Sequence, residues 1–282
     1  MRPPMSSKGI DFGHAGPLRE ADPARNCKRF SGRAALLTAA ARGIGLACAL
    51  RLAAEGATVC VTDRDEDALA EAAALAQQAG LTLHTSVMDS SDVLDTATRI
   101  ETLQQLLGPF DILVNNAGGS LHTPYHFMDE TDAHWQSVIE LNMLSAVWSC
   151  RAVLPGMVAR GVGRIVNFGS KAGRFGSLIA GANYAAVKGA MASLTRQLAL
   201  EYGAYGITVN CICPGIVMTA RTRSLWSERR TPAERARVLD EIPLKRHCEV
   251  EDVAASVAFL ASDDAAFITG ATLDLNGGQA MA

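Results

Sequence analysis

The sequence predicts an α/β fold, a single doubly wound parallel sheet with helices on both faces. Seven short β-branched or apolar runs, "RAALLT", "ATVCVT", "LTLHTSV", "FDILVNN", "GRIVNFG", "ITVNCIC" and "ATLDLN", alternate with longer stretches. In those stretches core positions recur at a helical period near 3.6, as at Trp135, Val138, Ile139, Asn142, Ala146 and Cys150. Strands that are apolar throughout, without alternation, are buried on both faces, which is the condition of a parallel sheet between two helical layers. No internal repeat or linker divides the alternation, so one core is expected.

The bulk composition allows such a core and narrows the partners. Of 282 residues 49% are hydrophobic and 20% charged. The formal charge is −3 and the lysines and arginines are scattered, which argues against nucleic acid or a membrane surface and for a small-molecule partner. The most apolar stretch, 34–54, is broken by Arg42, Gly43, Gly45 and Arg51, so no membrane span is expected. Residues 1–32 carry prolines, glycines and charges without an apolar segment and read as a flexible arm ahead of a domain at 33–282. Seven cysteines at 27, 48, 60, 150, 211, 213 and 248 fit buried thiols in a reducing cytoplasm better than a disulfide frame or a zinc site. His122 and His126 are four apart, but no third ligand is suitably spaced and no metal is expected.

The first strand, "RAALLT", passes through "AAARGIG" into the helical "LACALRLAAEG". Glycines at a strand-to-helix junction suit a phosphate: the first amides of the helix are unpaired and the helix dipole favours an anion. Gly43 and Gly45 leave room for a pyrophosphate and for close helix packing, with Thr38, Arg42 and Ile44 beside them. The second strand ends in Asp63, placed to accept hydrogen bonds from the hydroxyls of an adenosine ribose or, alternatively, to cap the following helix. Strand, glycines, helix and acid in this order indicate a dinucleotide site.

With these motifs the chain from about Arg33 onward resembles the short-chain dehydrogenase/reductase family. The resemblance implies a Rossmann-type sheet and a nicotinamide cofactor. The family's phosphate loop T-G-x-x-x-G-x-G stands here as "TAAARGIG", with Ala39 at the first glycine, a substitution that costs little only if φ there is negative. "NNAG" at 115–118 matches the segment lining the adenosine side, through Asn116, Ala117 and Gly118, and Asp89 matches the acid near the adenine amino group. "CPGIVMT" at 213–219 resembles the segment that holds the nicotinamide amide, through Pro214, Gly215, Val217 and Thr219. The catalytic set carries over as Asn142, Ser170, Tyr184 and Lys188, although the family more often has a serine where Gly169 stands. The segment 219–247 falls where the family folds a lid over the substrate. Family members are commonly homotetramers, with the long helices before Gly161 and after Asn183 pairing across subunits and the C-terminal residues near an interface.

The chemistry suits these residue types. Removing or returning an alcohol proton while hydride moves calls for a positioned acid or base, and a free tyrosine titrates too high, near pH ~10, without a cation nearby. Tyr184 and Lys188, four apart on a helix, share one face, so the ammonium, aided by the positive charge of an oxidised nicotinamide, is expected to lower the phenol by ~1–3 units and to hold the nicotinamide ribose. Ser170 is expected to hold the substrate oxygen, and Asn142, by resemblance, a water in a proton relay to Lys188. The leading expectation is oxidoreduction of a small secondary alcohol or ketone. The alternatives are reduction of a 3-oxoacyl thioester on a carrier protein or coenzyme A, and a non-catalytic nucleotide sensor. NAD is expected over NADP: Asp63 repels a 2′-phosphate, whereas Arg42 and Arg64, the residues near enough to attract one, can swing into solvent.

Overall fold

Strand β1 (Ala34–Leu37) shows why the sheet must be covered twice. Ala35 and Leu37 pack into one apolar cluster and Ala34 and Leu36 into another on the opposite face. Neither face of the strand meets water, and each leucine so buried contributes roughly 1.5–3 kcal/mol. The computed structural model describes residues 28–281 except 178, 179, 221, 224, 225 and 227–230.

The chain continues through α1 (Gly43–Ala54), β2 (Thr58–Asp63), α2 (Glu66–Gln78), β3 (Leu83–Val87), α3 (Val93–Leu107) and β4 (Ile112–Asn115). The second half holds α4 (Asp132–Ile139), α5 (Ser145–Arg160), β5 (Gly163–Phe168), α6 (Lys171–Phe175), α7 (Ala182–Tyr202) and β6 (Ile207–Pro214), then α8 (Pro232–Asp240), α9 (Val250–Ala261) and β7 (Thr272–Leu275). Five of the seven strands lie within the runs the sequence marks, β2 and β6 each run one residue past theirs, to Asp63 and Pro214, and all pair in parallel in the order β3-β2-β1-β4-β5-β6-β7. The order reverses between β1 and β4, and the crevice at the carboxyl ends of those strands is where an open α/β sheet binds ligands.

Helices α1 and α9 cover one face with α2, while α3, α5 and α7 cover the other. Between α4 and α5 the helix widens to a π turn over Glu140–Leu144, a local irregularity common at functional sites, and Asn142 lies within it. The continuous run Asp132–Arg160 is long and apolar enough to cross a membrane by length and composition. Here Val153, Leu154 and Met157 pack into the core beneath the sheet.

Two details at the ends of elements refine the reading. The cap of α2 is Asp65, whose carboxylate accepts the amide of Ala68 at 2.9 Å, so Asp63 is free of that duty. Of the arm expected over 1–32, residues 1–27 lie outside the described residues; Phe30 is buried in the core and Arg29 pairs with Glu55 at 2.7 Å.

Candidate active site

The loop between β1 and α1 is held open by its own backbone. Ala40 donates to the carbonyl of Thr62 at 2.9 Å and Ala41 to Oδ2 of Asp63 at 3.2 Å. Asn116 Nδ2 clamps the loop from the β4 side, donating to the carbonyls of Ala39 at 2.7 Å and Thr38 at 3.1 Å. Thr38 Oγ1 accepts the amide of Ala117 at 3.1 Å, so both residues are buried behind the loop and act by shaping it. A side chain at Gly45 would put its Cβ 2.5 Å from Cα of Ala40, which makes this glycine obligatory.

Ala39 does not meet the condition of a negative φ. Its φ is +48°, in the left-handed region, so the alanine carries a steric cost of roughly 1–2 kcal/mol where the family glycine has none. The loop keeps its shape because its partners over-determine it.

Helix α1 starts at Gly43 with Arg42 as N-cap, no side-chain cap and no acid in its first turn. Its first amides are left for an anion, which fits the pyrophosphate of a dinucleotide. A cleft of about 710 Å³ runs from Ala39, Arg42, Gly43, Ile44 and Gly45 past Asn116, Gly118 and Ser170 to Tyr184, Lys188, Pro214, Gly215, Val217 and Thr219. Thr38, Asp63, Arg64, Asp89, Ala117 and Asn142 do not line it. Asp63 stands at its edge through the bond to Ala41. Arg42 is tied away by Asp65 at 2.7 Å and Glu71 at 3.2 Å. Asp89 Oδ1 accepts both the amide and the hydroxyl of Ser91, at 2.9 and 2.6 Å, which together with the Arg64 charge holds its carboxyl below the usual range.

The four catalytic candidates converge. Ser170 caps α6, accepting the amide of Ala172 at 3.1 Å, and is hydrogen-bonded to Tyr184. On α7 the Lys188 ammonium lies 5.8 Å from the Tyr184 ring centroid and donates to the carbonyl of Phe168 at 3.0 Å. Asn142 donates to the carbonyls of Gly119 and Val138, each at 2.9 Å, and its Oδ1 accepts the Gly119 amide at 2.9 Å. A Cβ added at Gly118 would sit 2.7 Å from both Asn142 Oδ1 and Lys188 Nζ, so the glycine lets the two meet. The Asn142 amide is thus held by both the loop after β4 and the Val138 carbonyl of α4.

Burial pushes the Tyr184 phenol above its ordinary value, and the hydrogen bond with Ser170 opposes this in part. The Lys188 ammonium is directed at the Phe168 carbonyl. Burial brings Lys188 itself down to about 8. By its own residues the chain presents Tyr184 as a protonated phenol, an acid.

Gly169 departs from the family serine because of β6. Cys211 and Cys213 lie side by side, their sulfurs 4.0 Å apart, and a Cβ at Gly169 would come within 2.5 Å of Cys213 Sγ and 3.0 Å of Cys211 Sγ. The thiols occupy the volume a serine would need.

A second cavity, of about 850 Å³, opens from the same point. It shares Ser170, Tyr184, Pro214, Gly215, Val217 and Thr222 with the first and extends along α6 and α8. From the segment expected to be a lid, the residues that line it are Thr222, Glu234, Arg237, Val238 and Glu241; 221, 224, 225 and 227–230 lie outside the described residues. Lys171 and Phe175 of α6 also line it. Sequence reading missed these two, since charge and ring alone do not reveal which way a five-residue helix faces.

The family model described as enoyl-(acyl carrier protein) reductase matches residues 38–280. The chain belongs to the short-chain dehydrogenase/reductase family. As a member it is an NAD(P)-dependent oxidoreductase with a Rossmann-type sheet. It is 38% identical over 252 residues to the 3-oxoacyl-[acyl-carrier-protein] reductase FabG of Escherichia coli (strain K12), covering 89% of this chain and 99% of that protein. Over 256 residues it is 36% identical to the acetoacetyl-CoA reductase of Allochromatium vinosum, covering 88% and 99%. Among solved short-chain dehydrogenases it superposes with TM-score 0.81 and 31% identity on a gluconate 5-dehydrogenase from Burkholderia cenocepacia J2315 in complex with NADP and tartrate, covering 91% and 98%.

Proposed function

We propose that the protein is an NAD(H)-dependent reductase of 3-oxoacyl thioesters, taking the 3-keto group to a secondary alcohol. The sequence favoured a small alcohol or ketone first and a thioester second. The two curated relatives described above, which by name reduce 3-oxoacyl and acetoacetyl thioesters, favour the reverse order. The observation that carries the reading is the junction at Tyr184, where a cleft fit for a dinucleotide meets a cavity of about 850 Å³. That volume is generous for a small ketone and suits a substrate with a long arm.

When bound, the nicotinamide cofactor donates the hydride. The chain's residues do the rest. Ser170 orients the keto oxygen toward Tyr184, and the half-buried, protonated phenol of Tyr184 delivers the proton to that oxygen as charge develops on it. Lys188 holds the ribose beside the nicotinamide and keeps positive charge near the reacting oxygen. Asn142 acts one step back: by gripping the backbone of Gly119 it fixes the loop that borders both cavities.

Asp63 supports NAD. Its carboxylate stands beside the loop amide of Ala41, where it can accept from ribose hydroxyls; of the two cations that could favour a 2′-phosphate, Arg42 is bound to two other acids and Arg64 is exposed. Buried thiols at Cys48, Cys60, Cys150, Cys211 and Cys213, all unpaired, suit a reducing cytoplasm. A homotetramer is supported by edge strand β7, where Leu273 is 38% exposed, and by fully exposed Phe267 nearby in sequence, an apolar surface that a second copy would cover; light scattering gives the mass.

The test is a substrate comparison with NADH: an acetoacetyl thioester against a plain methyl ketone of similar size. A specificity constant at least ~10-fold higher for the thioester, about 1.4 kcal/mol of transition-state binding, supports the reading. Equal or higher values for the plain ketone overturn it.

A further inference from the structure

The wall of the substrate cavity that carries Ser170 continues into Lys171. Among the described residues four charged ones line this cavity, Lys171, Glu234, Arg237 and Glu241. Three are engaged. Arg237 and Glu241 are 3.9 Å apart on α8, and the Glu234 carboxylate accepts from the amide and hydroxyl of Thr231 at 2.8 and 3.0 Å. The neighbouring cation on α6, Arg174, is paired with Asp274 at 2.8 Å. Lys171 has no hydrogen bond or ion pair to any described residue, although it is half-buried.

Such a cation is unfavourable for the protein by itself. It loses hydration with no ion-pair partner among the described residues, and as first residue of α6 it sits at the end of the helix where the backbone dipole favours anions. An apolar residue would serve the fold better, and a local rule broken at a cavity wall is the mark of a ligand contact.

We propose that Lys171 binds an anionic group, a carboxylate, on the acyl part of the substrate. The inference rests on the thioester reading for the rest of that molecule. Consecutive Cα atoms are about 3.8 Å apart and the lysine stem has four carbons, so the ammonium ranges within roughly 10 Å of the Ser170 hydroxyl. A carboxylate a few bonds beyond the keto carbon falls inside that reach, whereas the phosphates of a coenzyme or carrier arm lie many bonds farther along the thioester side. The substrate class is thus the half-thioester of a 3-oxo dicarboxylic acid.

The test compares two 3-oxoacyl N-acetylcysteamine thioesters of equal length, one ending in a carboxylate and one in a methyl group, in the native protein, Lys171→Met and Lys171→Arg. The charged ending is expected to have the higher kcat/KM by at least ~10-fold, the scale of a hydrogen bond to a charged group. That ratio should fall by at least ~10-fold in Lys171→Met, stay largely intact in Lys171→Arg, and shrink with added salt. A native ratio at or below unity, or the same ratio in Lys171→Met, overturns the proposal. The same comparison with a free keto acid and its neutral ketone, read by calorimetric binding to the NAD-loaded protein, separates the two readings. Selective binding of the keto acid without turnover of either thioester leaves Lys171 as the anion site and removes the thioester; no selectivity in either pair removes the anion site.

Discussion

Asn116 donates its side-chain amide to the carbonyl of Ala39 at 2.7 Å, and closes a turn in which Ala39 is held at φ +48°. The steric cost of a left-handed alanine is roughly 1–2 kcal/mol, and a glycine returns part of that gain through the entropy of the unfolded chain. Ala39→Gly should therefore stabilise the protein by about 0.5–1 kcal/mol, a rise in melting temperature of a few degrees, read by calorimetry without cofactor. A drop in melting temperature would mean that the loop does not hold Ala39 in this conformation.

Lys188 makes the opposite exchange, stability given up for chemistry. Burial lowers its ammonium from 10.5 to about 8, so the folded state carries a penalty of about 3 kcal/mol while both states are protonated. The sign follows from proton counting. Between 8 and 10.5 the unfolded chain binds more protons than the folded one, so native stability rises with pH through that window. Lys188→Met, which leaves the Phe168 carbonyl without its donor, should still gain about 1–2 kcal/mol at neutral pH and lose that advantage as pH climbs. Denaturant titrations at several pH values measure the difference; an advantage that grows with pH contradicts the assignment.

The seven strands are legible in the sequence because a strand buried on both faces leaves an unbroken apolar run, as Ala34 to Leu37 does. The position of Gly45 follows from local spacing, and those of Tyr184 and Lys188 from the family resemblance. What escapes is set by contacts distant in sequence. The sign of φ at Ala39 is set by the clamp from Asn116, and whether Asp63 caps α2 or is left for a ribose is decided by Asp65, whose carboxylate reaches Ala68. Lys188 donates to the Phe168 carbonyl, a partner that only the fold reveals.

Gly169 and Cys213 form a packing pair across β5 and β6. Gly169→Ser would bring a Cβ within 2.5 Å of Cys213 Sγ, overpacking that costs about 1–3 kcal/mol. Adding Cys213→Ala should recover most of the loss, giving a coupling energy above about 0.5 kcal/mol in the double-mutant cycle. Additive effects would show that the two sites do not share this space.

Asp63 sets cofactor choice in this account. Asp63→Ala should narrow the ratio of kcat/KM for NADH over NADPH by at least ~10-fold, since one charge pair at ~4 Å in a partly solvated site is worth up to about 4 kcal/mol before desolvation. Freeing Arg42 by Glu71→Ala should narrow it further, because the guanidinium then has one acid fewer to hold it. A native preference for NADPH, or a ratio indifferent to Asp63, would refute the assignment.

The most direct measurement is the turnover of an acetoacetyl thioester with NADH, followed by nicotinamide absorbance, in the native protein and in Tyr184→Phe. The native protein should oxidise NADH in step with thioester reduction. Tyr184→Phe should lose at least ~100-fold in kcat, the scale of a general acid, while still binding NADH as judged by its fluorescence. Undiminished turnover in Tyr184→Phe, or none in the native protein, would contradict the central claim.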